Sequence, residues 1–224
     1  MDSKIRSYSA IDFGNGLNFC PRHGIVYQRD ISETIDYDWE YFSNYQRYEK
    51  SPISDTLNDF RVNLSTKYAK TGILDVGIGC GTFLVRCPKN IGILYYGYDV
   101  NPLAKEWLFQ HDDIDYYNPY DYNSISDNID VVCLWDVLEH IANPDLLLSR
   151  FRKGTFLLLS LPIFERFSNL LESKHHKPNE HLLYFSSFGL WNYLMDMGFD
   201  LEWSGDDESR IGRESIMSFV FRKQ

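Results

Sequence analysis

The chain has 224 residues, a formal net charge of −10 and an aromatic content of 16%. That length suits one domain with a sizeable core, and the acidic balance disfavours a nucleic-acid backbone as partner, because phosphate contacts need a concentrated positive patch. No apolar run approaches the length of a membrane span and the N-terminus shows no basic-then-apolar leader, so a cytoplasmic protein is expected.

Cys20, Cys80, Cys87 and Cys133 have no paired spacing and read as free thiols of a reducing compartment. Residues 1–35 are weakly patterned and read as an N-terminal extension of a domain spanning 36–224. Gly14-Asn15-Gly16, set between short apolar runs, predicts a hairpin. Cys20-Pro21-Arg22-His23-Gly24 has the look of half a zinc knuckle. A structural zinc wants four ligands and no second pair is visible, so an ordinary turn is the reading. Residues 36–50 are aromatic-rich and lack Gly and Pro. Their Tyr37, Tyr41, Tyr45 and Tyr48 fall on one face of a helix, either packed on the domain or closing over a ligand. Ser51-Pro52 ends that segment, and 53–70 reads as a helix leading into the first core strand.

The chain is organised around residues 72–82. Ile73, Leu74 and Val76 form the apolar run of a buried parallel strand. Gly77, Gly79 and Gly81 then alternate, and apolar residues resume at Phe83. Strand, glycine turn, helix is the layout of a nucleotide site in a doubly wound α/β domain. The spacing is G-x-G-x-G, with Thr82 where a dinucleotide fingerprint would place its third glycine, which speaks against a dehydrogenase. Asp75, two residues before the first glycine, suits a cationic ligand with an ammonium and a sulfonium better than a pyrophosphate.

Further along, Ile93 to Val100 is a second strand ending in Asp99, 18 residues past Gly81, where an acid hydrogen-bonds the ribose of an adenosine cofactor. Asn101-Pro102 supplies an N-cap and first-turn proline for a helix to about Gln110. A third strand covers 114–118, with Asn118 at its end; a fourth covers 129–134 and runs into Trp135-Asp136. A fifth spans 154–161. A helix over 186–197 and closing strands at 199–203 and 214–222 complete the alternation.

Asp75-Val76-Gly77-Ile78-Gly79-Cys80-Gly81 closely resembles motif I of class I S-adenosylmethionine-dependent methyltransferases, and the resemblance covers about residues 36–222. It implies a doubly wound, seven-stranded, mostly parallel α/β sheet with an antiparallel last strand. It also implies S-adenosylmethionine as cofactor, held by Asp75, Gly77, Gly79, Gly81, Asp99, Val100, Asn118, Trp135 and Asp136, with Tyr41 and Tyr45 on a lid over its methionine end. Residues 135–140, Trp-Asp-Val-Leu-Glu-His, and 174–181, Lys-His-His-Lys-Pro-Asn-Glu-His, resemble segments of the methyltransferase group that includes 3-demethylubiquinone O-methyltransferases. On that likeness His140 and His181, with Glu139, flank the methyl acceptor, whereas His175 and His176 are expected to be exposed.

Asp136, Glu139 and His140 share one face if the segment is helical. With His181 they make a carboxylate and imidazole set that suits a divalent metal, the alternative to acid–base use. Small-RNA 2′-O-methyltransferases and some quinone O-methyltransferases carry a similar set, with glutamate where this chain has Asp136. The reading is therefore a methyltransferase acting on oxygen or nitrogen of a small molecule, as monomer or homodimer. Its rivals are a metal-assisted RNA 2′-O-methyltransferase and a non-catalytic S-adenosylmethionine-binding protein.

Overall fold

The computed structural model describes residues 3–31 and 51–224, together with Trp39, Ser43, Gln46 and Arg47. Among them, two sheets form. The larger contains seven strands: β4 (Gly72–Val76), β5 (Leu94–Tyr98), β6 (Asp115–Tyr116), β7 (Val131–Trp135), β8 (Phe156–Pro162), β10 (Phe199–Gly205) and β11 (Ile216–Lys223). Their spatial order is β10-β11-β8-β7-β4-β5-β6. β4 pairs in parallel with both β5 and β7, and β11 runs antiparallel between β8 and β10. The chain order therefore reverses beside β4, and a ligand crevice is expected beyond the carboxyl ends of β4, β5 and β7.

The central strands are buried on both faces because their residues alternate between two apolar layers. Leu74, Val132, Leu134, Leu157 and Leu159 belong to one core cluster. Ile73, Val131, Cys133 and Leu158 belong to the other. Among the described residues, the helices that cover these faces are short apart from two. These are α2 (Pro52–Tyr68), which follows a one-turn α1 (Lys4–Ser7), and α6 (Ser187–Asp196). Between them lie α3 (Thr82–Arg86), α4 (Pro102–Leu108) and α5 (Asp145–Leu148), and α7 (Asp207–Arg210) follows. Caps set their starts: the Ser51 hydroxyl accepts from the Ser54 N–H and the Asn101 side-chain oxygen, Oδ1, from the Leu103 N–H, each one residue ahead of a proline.

The predicted hairpin is present as β1 (Ile11–Gly14) and β2 (Leu17–Cys20), and it continues into β3 (Ile25–Gln28). β3 pairs antiparallel with β9 (Leu183–Phe185), so the start of the chain is stitched to the segment that follows His181. Ile5, Cys20, Ile25 and Tyr27 are buried within the same cluster as Leu74 and Leu134. Cys20 and His23 are both fully buried, with Sγ 3.6 Å from Nδ1, within the tight turn between β2 and β3. No helix among the described residues is long and apolar enough to cross a membrane.

Candidate active site

At the end of β4 the backbone turns through Gly77, Gly79 and Gly81, all at positive φ. At two of these, space is as restrictive as φ. A Cβ on Gly77 would lie 2.4 Å from Val137 Cγ2, and one on Gly81 would lie 2.1 Å from the Trp107 ring. The turn is tied to the next strand: the Gly77 N–H donates to the Tyr98 carbonyl at 2.7 Å. Asp99, at the end of β5, accepts from the Gly79 N–H at 2.9 Å through one oxygen and from the Asn101 N–H at 2.8 Å through the other. Its carboxylate thereby locks the glycine turn against the start of α4.

Around this turn opens a cavity of about 670 Å³. Asp75, Gly77, Gly79, Asp99, Val100, Trp135, Asp136 and His140 line it. Asp75 is 2% exposed, and its Oδ1 has no hydrogen-bond partner. Burial pushes its carboxyl up to about 7, against the opposing pull of Arg61. A buried carboxylate without a partner, facing a cavity, is a ready site for a cation.

Several expectations are corrected. Gly81 and Asn118 are not on the cavity wall. The Asn118 side chain is used locally, donating to Asp121 and accepting from the Tyr120 N–H, and it is Tyr120 that reaches the cavity. Asp136 is not on a helix: it adopts φ 58°, its N–H donates to the Ser160 carbonyl, and only Leu138–His140 form a 3-10 turn. The shared helix face of Asp136, Glu139 and His140 is therefore broken at its first member. His175 and His176 are half-buried, and the His175 Nε2 lies 2.9 Å from the Glu214 carbonyl. Tyr41 and Tyr45, with Tyr37 and Tyr48, lie outside the described residues.

Two arginines occupy Asp136. Arg61 reaches it at 2.9 Å and Arg213 at 3.0 Å. Both also bind Glu208, which is 0% exposed, and Arg61 adds Ser160 at 3.1 Å. Burial alone would raise the Asp136 carboxyl, but Arg213 and Arg61 hold it well below the usual carboxylate range. The cluster balances two cations with two anions, and its Arg61, Asp136 and Arg213 line the cavity, with Glu208 behind them. Arg61 left a trace in the sequence, since Leu57, Arg61 and Leu64 fall at helical spacing and all three are buried. Arg213 and Glu208 left none.

His140 and His181 do come together, with ring centroids 4.7 Å apart and planes at 84°. His140 is on the cavity wall, while His181 and Glu139 stand behind it, 4% and 2% exposed. Burial lowers the His140 imidazole from its ordinary range and drives His181 down to about 3, with His140 and Lys177 adding to the second shift. Burial, then Asp136, lifts Glu139 well above the carboxylate range.

A methyltransferase-domain family model matches residues 45–202 of the chain. Among solved structures, magnesium protoporphyrin IX methyltransferase from Synechocystis PCC 6803 with bound SAH aligns with a TM-score of 0.59 at 16% identity, covering 84% of this chain and 96% of that one. A SAM-dependent methyltransferase from Methanosarcina mazei aligns with a TM-score of 0.51 at 15% identity, over 71% of this chain and 96% of its own. The [4+2]-cyclase SpnF also aligns, with a TM-score of 0.59 at 14% identity, over 76% and 80%. At such identities the likeness is one of fold. No curated protein matches the chain.

Proposed function

The chain belongs to the S-adenosylmethionine-dependent methyltransferases, and from that premise we propose that it transfers a methyl group to an oxygen or nitrogen of a small molecule. S-adenosylmethionine is its cofactor. The observation that carries the reading is the cavity beyond β4, β5 and β7, where an unpartnered Asp75, the glycine turn and Asp99 converge. In this reading the Asp75 carboxylate faces the ammonium and sulfonium end, Asp99 the ribose hydroxyls, and Tyr98 and Tyr120 the base. Aromatic faces suit a cationic sulfonium electrostatically, and Trp135 and Phe83 join Tyr98 and Tyr120 on the wall.

Methyl transfer from a sulfonium is an in-line displacement with a good leaving group. Positioning and exclusion of water do most of the work, and a base is needed where the acceptor must lose a proton. His140 is the imidazole on that wall, and burial lowers it from its ordinary range. We take residues 36–224 as the methyltransferase domain and 1–35 as an extension that braces the His181 segment through β3 and β9. The net charge of −10 favours a small acceptor over RNA. The unpaired cysteines favour the cytoplasm.

Calorimetric titration with S-adenosylmethionine, S-adenosylhomocysteine and NAD tests the reading. Binding of both sulfur nucleotides and not NAD is expected. Folded protein that binds neither sulfur nucleotide would overturn it.

A further inference from the structure

The buried face of α2 carries Ser54, Leu57, Asn58, Arg61, Leu64 and Ser65, spaced as one stripe of a helix. Ser54, Asn58, Arg61 and Ser65 are polar, and a buried polar group needs a partner. Arg61 is engaged by Glu208, Asp136 and Ser160. The Ser65 hydroxyl donates to the Val62 carbonyl at 3.0 Å. Asn58 is only half engaged. Its side-chain nitrogen donates to the Ser54 carbonyl at 2.8 Å and to the Ser54 hydroxyl at 3.2 Å. Only an NH₂ group can face a carbonyl oxygen, so the amide has one orientation, with Oδ1 turned away from Ser54.

No donor among the described residues reaches that Oδ1, and no acceptor among them takes the Ser54 hydroxyl proton. Both residues line the cavity, although Asn58 is 5% and Ser54 2% exposed. Asparagine is also a poor residue for a helix interior, because its amide competes for backbone partners. The course of α2 places the pair. The helix leads through residues 69–71 into β4, so its start lies toward the carboxyl ends of the strands. Arg61 is level with those ends, since it reaches Asp136 just beyond β7. At roughly 1.5 Å of rise per residue, Asn58 stands about 4.5 Å and Ser54 about 10 Å farther out along the helix. That is farther out than Asp75 and Asp99, on the side left for the acceptor.

We propose that Ser54 and Asn58 form the seat of a hydroxyl group of the methyl acceptor. The pair offers one donor, the Ser54 O–H, and one acceptor, Asn58 Oδ1, one helix turn apart. A hydroxyl answers both through one atom, giving its proton to Asn58 and taking one from Ser54. An ammonium can only donate, and a carboxylate or an ether can only accept, so each leaves one of the two buried groups unmet. A site built to hydrogen-bond a hydroxyl rejects analogues that lack it, because its own polar groups are then left unpaired. The inference rests on the methyltransferase reading for calling the bound molecule an acceptor. It deepens that reading by giving the acceptor a neutral hydroxyl and by assigning two residues that recognise it.

Ligand-observed NMR on full-length protein saturated with S-adenosylhomocysteine tests the seat. The probes are benzyl alcohol, benzylamine, benzoate, benzamide and benzyl methyl ether, which share a ring suited to Leu57 and Ile141 on the same wall and differ in one polar group. Benzyl alcohol should bind at least about tenfold more tightly than each of the others. Asn58→Leu, apolar and of similar size, should remove that preference and leave the calorimetric affinity for S-adenosylhomocysteine unchanged. Melting temperature verifies folding, and should Asn58→Leu fail to fold, Asn58→Ala, a better helix former, makes the same comparison. A wild-type protein that binds another probe as tightly as benzyl alcohol, or binds none, overturns the seat. So does a preference that survives in the folded variant, or a folded variant that loses S-adenosylhomocysteine, which would put the amide at the cofactor. Wild-type protein that binds no S-adenosylhomocysteine fails the methyltransferase reading instead, and the same probes on the free protein then judge the seat by itself.

Discussion

Asp99 and Asp75 sit at the ends of neighbouring strands, yet their carboxylates are in opposite states. Each Asp99 oxygen already accepts a backbone N–H, from Gly79 and from Asn101. Asp99→Ala loosens the glycine turn and, on the proposed reading, also removes a ligand contact. Affinity for S-adenosylhomocysteine should fall by about 1.5–3 kcal/mol, the worth of hydrogen bonds to a charged group, and calorimetry reads it directly. Unchanged affinity would take Asp99 out of the site. Asp75 has no such anchoring. Its carboxyl is pushed up to about 7 by burial, so in the free protein the stability of the protonated form is present at low pH and is lost as pH rises through about 7. A cation bound against Asp75 favours the ionised form instead. Cofactor affinity should therefore weaken as pH falls below about 7, by up to about tenfold per pH unit, and Asp75→Asn should flatten that slope. A wild-type slope identical to that of the variant would contradict the assignment.

At the scale of elements, α2, β7 and α7 are joined by one buried ionic cluster. Arg61 comes from α2, Asp136 from the turn after β7, Glu208 from α7 and Arg213 from the approach to β11. Removing one member leaves an uncompensated charge: Glu208 is 0% exposed and has Arg61 and Arg213 as its cationic partners. Arg61→Met should cost about 3–5 kcal/mol in urea denaturation. The double change Arg61→Met with Glu208→Gln should recover part of it, since it removes the stranded anion. A loss that is simply additive would show that the pair is not coupled.

The same elements show what was legible. The order of strands and helices, the glycine turn and the placing of Asp75 and Asp99 follow from periodicity and spacing, and the structure repeats them. Where the expectation failed, the cause is local or long-range. At Asp136 a single left-handed residue breaks a segment whose spacing reads as helix. The arginine cluster joins residues 147 positions apart, which no periodicity records. The three-stranded start of the chain is legible as a hairpin, but its pairing with β9 depends on a strand of three residues, too short to announce itself.

Across the whole molecule, one sheet sets the geometry of the site. Its chain order reverses beside β4, so the ends of β4, β5 and β7 open into one crevice. The antiparallel pair β10–β11 carries Arg213 to the cavity floor from the far side. The smaller sheet holds His181 behind His140. The proposed meeting place of cofactor and acceptor is this crevice, with Trp135 and His140 on its wall. A crystal structure with S-adenosylhomocysteine tests this most directly. The account predicts its ribose hydroxyls at Asp99, its ammonium at Asp75, and its sulfur directed toward His140. Density for the nucleotide outside this crevice, or lying in it with the sulfur turned away from His140, would contradict it.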